Sequence, residues 1–227
     1  MDEKERKIKR LLLCQKEDII ERNRKQAHAA QGGGMAEEMI QGYRLPAGGE
    51  LRVAISGKSG CGNTTVSTLL AQTLGISLIN YTFRQLAQEK GLTLPEVLEK
   101  AKGDDSYDIY VDNHQVELAR KESCVLGSRL AIWMLKEADA KVYLLASDEL
   151  RASRILKREG GDLQAIKDFT AMRDAEDTKR YKKLYNIDNN DYASVADIII
   201  DTSCNVPEQI VGNILARLAE KGLVEKR

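Results

Sequence analysis

The sequence predicts an α/β fold, a five-stranded, mainly parallel sheet wrapped by helices in three α/β/α layers, and two observations carry that expectation. From Leu51 onward short apolar runs alternate with longer amphipathic segments, the trace that right-handed β–α–β crossovers leave in a sequence. The first run, Leu51-Arg-Val-Ala-Ile-Ser56, opens into Gly57-Lys-Ser-Gly-Cys-Gly-Asn-Thr-Thr65 and then into a helical stripe of Val66, Leu69, Leu70 and Leu74. A glycine-rich turn between strand and helix is a phosphate cradle, because glycines let successive backbone N–H groups curl around a polyphosphate at the helix N-terminus.

The 227 residues suffice for one well-buried core. Residues 1 to about 30 are rich in Lys, Arg and Glu, with a weak stripe of Ile8, Leu11, Leu12, Ile19 and Ile20, and read as a solvated helix. Gln31-Gly-Gly-Gly34 before Met35 is what a ribosome-binding sequence translated in frame would leave, so Met35 is the expected true start. Pro46-Ala-Gly-Gly49 reads as a linker. Residues 1–50 are therefore an extension, and 51–222 the folded domain. Strands are expected at 51–56, 76–80, 123–127, 140–146 and 196–201, each short and almost unbroken in apolar character, as strands covered on both faces are. Helices are expected at 64–74, 82–90, 95–102, 106–121, 129–137, 148–158, 162–184 and 207–221.

Lysine plus arginine equal aspartate plus glutamate at 35 each, so no overall field holds the chain on nucleic acid or an anionic bilayer. Aromatic residues make up 5%, too few for a platform that stacks single-stranded bases. Cys14, Cys61, Cys124 and Cys204 are far apart and form neither a metal-type pair nor a disulfide framework. No apolar run approaches the roughly 20 residues of a spanning helix, and the charged N-terminus lacks a signal-peptide core. The expectation is a cytoplasmic monomer whose partners are small molecules, not nucleic acid or membrane.

The loop spacing, Gly57, four residues, Gly62, one residue, Thr64, fits nucleotide phosphates, but Asn63 stands where such a loop carries its lysine. Arginines leave the strand ends, where an open α/β sheet places its ligands. Arg84 follows the strand ending at Asn80 and Arg129 follows the one ending at Gly127; a planar fork at either position takes two oxygens of one phosphate. Arg173, Asp177 and Arg180 share one helix face, which reads either as an anion site or as a solvated ion-pair ladder. Arg151, Arg154 and Arg158 raise the same question and precede Glu159-Gly-Gly161, a flexible turn suited to a lid hinge.

These blocks together resemble the archaeal-type cytidylate kinases of the nucleoside monophosphate kinase group, with its P-loop fold. The resemblance covers about 51–215. It rests on the loop at 57–65, Phe83-Arg-Gln-Leu-Ala87, Glu89-Lys-Gly91, Asp108-x3-Asp112-x2-Gln115 and Arg129-Leu-Ala-x-Trp-Met134. It continues through Arg151-Ala-x-Arg-Ile-x2-Arg-Glu-Gly160, Arg173-x6-Arg-Tyr-x3-Tyr-x-Ile-Asp188 and Asp197-x3-Asp-Thr-Ser203.

The resemblance implies ATP-dependent phosphoryl transfer to a pyrimidine nucleoside monophosphate, CMP or dCMP, with Mg2+ as cofactor. Helical inserts at about 81–122 and 150–175 would bind the acceptor and act as a lid. ATP phosphates would lie on Gly57, Lys58, Ser59, Gly60, Cys61, Gly62, Asn63, Thr64 and Thr65, with magnesium on the Thr64 hydroxyl. Arg154 and Arg158 would contact ATP from the lid. The acceptor phosphate would lie among Arg84, Arg129, Arg173 and Arg180, with Asp177 the acidic member of that site and Asp112 and Gln115 reading the pyrimidine edge. Lys58, Arg129, Arg154 and Arg158 are the expected catalytic set.

Two departures stand out. Archaeal members of the family can also lack the loop lysine, and Lys58 is the candidate to supply its charge. At Gly127-Ser128 the family tends to carry an acid and then glycine, so an acid near the metal is missing. A non-catalytic nucleotide sensor, a small-metabolite kinase and a partition-type ATPase are the rival readings.

Overall fold

A computed structural model of the chain describes residues 38–226, so the expectations for the helix before residue 30, the glycine run and Met35 lie outside the described residues. A short strand β1 (Tyr43–Arg44) precedes β2 (Arg52–Gly57), α1 (Asn63–Leu74) and β3 (Ser77–Ile79). Three helices follow, α2 (Phe83–Glu89), α3 (Leu94–Ala101) and α4 (Ser106–Ala119), then β4 (Cys124–Gly127), the single turn α5 (Ala131–Met134) and β5 (Ala140–Leu145). The chain continues through α6 (Asp148–Glu159), α7 (Leu163–Tyr185), β6 (Ile198–Asp201), α8 (Pro207–Glu220) and β7 (Glu225–Lys226).

Among the described residues the main sheet has five strands in the order β3-β4-β2-β5-β6, with every neighbouring pair parallel. This is the expected fold class. Pleating sorts the side chains: Val53, Ile55, Val125, Val142 and Leu144 join one core with α1 and α8. Ala54, Cys124, Leu126 and Tyr143 face a second core under α4 and α5. Burial on both faces explains the unbroken apolar runs. A third, smaller cluster of Tyr81, Leu86, Ala87, Val97 and Val111 holds α2, α3 and α4 together. Capping boxes start α2 at Thr82 and Gln85 and α3 at Thr93 and Glu96, so the ends of both short helices are fixed locally. None of the described helices is long and apolar enough to cross a membrane.

Two differences from the expected elements have physical causes. The helix expected at 129–137 is one turn, because Ser56 Oγ accepts the Ile132 N–H at 3.1 Å and Ser128 N–H bonds back to Ile55 carbonyl at 3.2 Å. Those bonds hold 128–130 as a loop that lets Arg129 turn toward the phosphate loop. Packed chain also extends past both ends of the span 51–222. β1 pairs antiparallel with β7, Ile40, Tyr43 and Leu45 lie against the first core, and Met39 covers Gly212. The Pro46–Gly49 turn, closed by Gly49 N–H on Pro46 carbonyl at 2.9 Å, joins two packed segments instead of ending a preamble.

Because those three side chains bury apolar surface, a chain begun at Leu51 is expected to be less stable than one begun at residue 38. The loss should be about 2–4 kcal/mol by urea unfolding. Equal midpoints for the two chains would show that residues 38–50 do not contribute to folding.

Candidate active site

The phosphate loop leaves β2 and turns into α1 with two left-handed glycines, Gly60 at φ 84° and Gly62 at φ 94°. Close approach sets two of its glycines. A Cβ at Gly57 would lie 2.9 Å from the Leu144 carbonyl oxygen of β5, and one at Gly60 would lie 2.7 Å from the Arg151 carbonyl oxygen of α6. The loop is thus pressed between a strand and a helix, leaving no room for side chains where backbone must meet phosphate.

Asn63 turns away from the cradle. Its Nδ2 donates to Ile55 carbonyl at 3.2 Å and Ser128 carbonyl at 3.4 Å, and its Oδ1 accepts from Ser67 Oγ at 3.0 Å. The residue ties the start of α1 to β2 and to the loop after β4. Gly127 belongs to the same arrangement, since a Cβ there would lie 2.7 Å from Ser67 Oγ and 3.4 Å from Asn63 Oδ1. The missing lysine and the missing acid are one packing solution. Lys58 is half-buried, and its charge helps to hold the Asp148 carboxyl below the usual carboxylate range, after the larger effect of the Arg151 hydrogen bond.

Three of the four arginines expected to bind the acceptor, Arg129, Arg173 and Arg180, meet around the buried carboxylate of Asp177. Arg129 donates Nη1 to Asp177 Oδ2, and its Nη2 reaches Ser59 Oγ in the phosphate loop at 2.7 Å. Arg180 donates Nη2 to Asp177 Oδ1 at 3.0 Å and pairs through Nη1 with Asp108 at 2.9 Å. Arg173 forms no ion pair among the described residues; burial, and then the like charge of Arg129, push its guanidinium down to about 10. The 173/177/180 face is therefore an inward-facing cluster and not a solvated ladder. Arg84, on α2, shares no hydrogen bond or ion pair with it.

Asp112 and Gln115 lie on α4 beside this cluster. Asp112 accepts from Tyr185 Oη at 2.8 Å and from Gln115 Nε2 at 3.3 Å, and burial raises its carboxyl to about 6. Five buried polar atoms lack a hydrogen-bond partner among the described residues: Arg84 Nη2, Gln115 Oε1, Ser128 Oγ, Arg151 Nε and Arg180 Nε. Leaving such a group without a partner costs about 1–3 kcal/mol, which a polar ligand reaching Gln115 or Arg180 would relieve.

The lid arginines divide. Arg154 spreads its guanidinium over the Gly60 and Cys61 carbonyls, each at 3.4 Å, and the Thr202 hydroxyl and carbonyl at 2.8 and 2.6 Å. Arg158 is exposed and pairs with the adjacent Glu159 at 2.6 Å, away from the loop. Arg151, Asp174, Asp108 and Tyr185 were not in the expected site set, although all bond to it. Arg151, Asp108 and Tyr185 stand in the blocks that carry the family resemblance but were given no role there, and Asp174 left no signal beyond its place beside Arg173.

The residues present fit a nucleotide and its divalent ion. The loop offers a cradle that side chains would fill, and Thr64 and Thr65 stand exposed in the first turn of α1. Among the described residues no group of three His, Cys, Asp or Glu side chains is placed to hold a metal. A divalent cation here would take the Thr64 hydroxyl, with phosphate oxygens and water in its other positions.

Two substitutions test this geometry. Asn63→Lys is expected to lower stability by about 1–3 kcal/mol, because the Ile55 and Ser128 carbonyls each lose one of their donors and Ser67 Oγ loses its acceptor; an unchanged unfolding midpoint would contradict the inward placement. Asp112 has a folded pKa above its unfolded value, so the folded state binds the extra proton and stability falls as pH rises through the interval from about 4 to 6. Asp112→Asn removes that penalty. It is expected to melt higher than the parent above pH 7, with the gap closing below about pH 5; a gap independent of pH would contradict the burial-raised carboxyl.

Residues 52–204 match the cytidylate kinase-like family. Cytidylate kinase 2 of Borreliella burgdorferi is 44% identical over 176 residues, spanning 76% of this chain and 98% of that one. Cytidylate kinase of Archaeoglobus fulgidus is 38% identical over 174 residues, 75% of this chain and 96% of that one. Among solved structures, shikimate kinase from Acinetobacter baumannii superposes with a TM-score of 0.55 at 22% identity, covering 77% of this chain and 96% of that one. This last likeness is one of fold. The matched span 52–204 includes the phosphate loop, the arginine cluster and β6, and by that match and these identities the chain belongs to the cytidylate kinase-like family.

Proposed function

We propose that the protein transfers the γ-phosphoryl group of ATP to the phosphate of CMP or dCMP, giving ADP and CDP or dCDP. One observation carries the reading: Arg129 touches the phosphate loop at Ser59 with one terminal nitrogen and the Asp177 cluster with the other. A single guanidinium thus spans two anion sites, as a group serving both donor and acceptor phosphates must. The relatives named cytidylate kinase supply the pyrimidine monophosphate as the acceptor class.

No strong general base is needed. The second pKa of a phosphate monoester is about 6, so the attacking oxygen is already largely ionised at neutral pH. The chain's contribution is positioning and charge. Loop amides from Gly57 to Thr65 hold the donor phosphates, and Arg129 lies between them and the acceptor. Arg173, half-buried and without an ion pair among the described residues, and Arg180 neutralise the acceptor phosphate. The Thr64 hydroxyl would hold a magnesium ion, which when bound would supply charge neutralisation at the donor phosphates. Asp112 and Gln115 take the pyrimidine edge, and α6 with α7 exclude water so that ATP is not spent on hydrolysis.

The inward Asn63 gives a second reading its one support, a nucleotide binder of little activity, since the cradle then lacks the point charge a lysine brings. A coupled assay of ADP release against the common monophosphates separates the two. CDP formation from CMP is expected in the parent, with Arg129→Ala slower by about 100-fold or more. Binding of ATP and CMP by calorimetry without CDP formation would favour the binder, and an Arg129→Ala chain as fast as the parent would overturn the acceptor-site assignment.

A further inference from the structure

Arg151 is the most deeply placed arginine of the site, with its side chain 3% exposed, and phosphoryl transfer as argued above does not use it. Its guanidinium joins three elements. Nη1 donates to the Ser59 carbonyl at 3.0 Å, while Nη2 donates to Asp148 at 2.6 Å in the first turn of α6 and to Asp174 at 2.7 Å in α7. Asp174 directly follows Arg173, and Asp177 lies three residues further along the same helix. The Arg151 backbone also presses on Gly60, where only hydrogen fits.

The peptide between Ser59 and Gly60 is trans and planar, so the direction of one group fixes the other. With the Ser59 carbonyl held on the Arg151 side, the Gly60 N–H must point to the opposite side, into the cradle. Ser59 is bonded twice, its carbonyl to Arg151 and its hydroxyl to Arg129. Both arginines continue to α7, one to Asp174 and the other to Asp177. The helix that carries the acceptor arginines is thus tied by two guanidiniums to a single residue of the phosphate loop.

We propose that Arg151, held by Asp174, is a positioning residue that couples the two nucleotide sites. Occupation of the acceptor pocket fixes α7, Asp174 fixes Arg151, and Arg151 fixes the amide that Gly60 presents to the donor phosphates. By reciprocity the donor tightens the acceptor site equally. The inference rests on the two-nucleotide reading proposed above, and its test separates failure of one from failure of the other.

Calorimetry with CMP and a non-hydrolysable ATP analogue gives each affinity alone and in the presence of the other ligand. The parent is expected to bind the second ligand at least about fivefold tighter than the first ligand alone allows. In Asp174→Asn this coupling should fall toward one, while the separate affinities stay within about threefold. A role confined to stability would shift the melting temperature and leave the coupling intact. Arg151→Lys carries the test if Asp174→Asn does not fold: its ammonium can still pair with Asp148 and Asp174, but it lacks the planar fork that also reaches the Ser59 carbonyl. Absence of coupling in the parent, or equal coupling in the parent and the folded variants, overturns the proposal. Coupling lost in the variants of a parent that makes no CDP overturns the kinase reading alone.

Discussion

Guanidinium groups brought close together repel, and in this molecule one carboxylate makes their company tolerable. Asp177 is 7% exposed and bonds Arg129 and Arg180 from its two oxygens, with Arg173 beside it in the same buried space. Three guanidiniums against two carboxylates, Asp177 and Asp108, leave a surplus that burial makes costly. Folding supports that surplus because parallel strands deliver their following segments to one end of the sheet, and because α7, 23 residues long, crosses that end with Arg173, Asp177 and Arg180 facing it.

The phosphate loop depends on the same crowding seen from its other side. Its carbonyls at Ser59, Gly60 and Cys61 accept from Arg151 and Arg154, so α6 supplies donors to the outer surface of a loop whose inner surface is amide. Helix α6 is therefore a structural partner of the loop. Arg158, one turn beyond Arg154, is where that partnership ends and solvent begins.

The sheet was legible in the sequence because strands covered on both faces leave unbroken apolar runs, and the loop because its glycines answer to local backbone geometry. Strand-end position and helical spacing made Arg129 and the 173/177/180 face candidates but left a solvated ladder open; their grouping around one acceptor site was what the family resemblance implied. What could not be read was contact between residues distant in sequence. Asn63 looked like a gap in a motif, whereas its bonds to Ile55 and Ser128 give it a purpose that no spacing reveals. Arg151 looked interchangeable with Arg154 and Arg158, and only burial distinguishes it. The Pro46–Gly49 turn has the composition of a linker, yet the pairing of Tyr43–Arg44 with Glu225–Lys226 depends on residues more than 180 positions apart.

The contact of Gly127 with Ser67 and Asn63 limits how this loop can change over generations. An acidic side chain at 127 would enter space already held by Ser67 Oγ, and a lysine at 63 would withdraw one donor from each of two carbonyls. Because Ser67 touches both positions, a change at either one disturbs the contacts of the other, and the pair constrains this loop jointly.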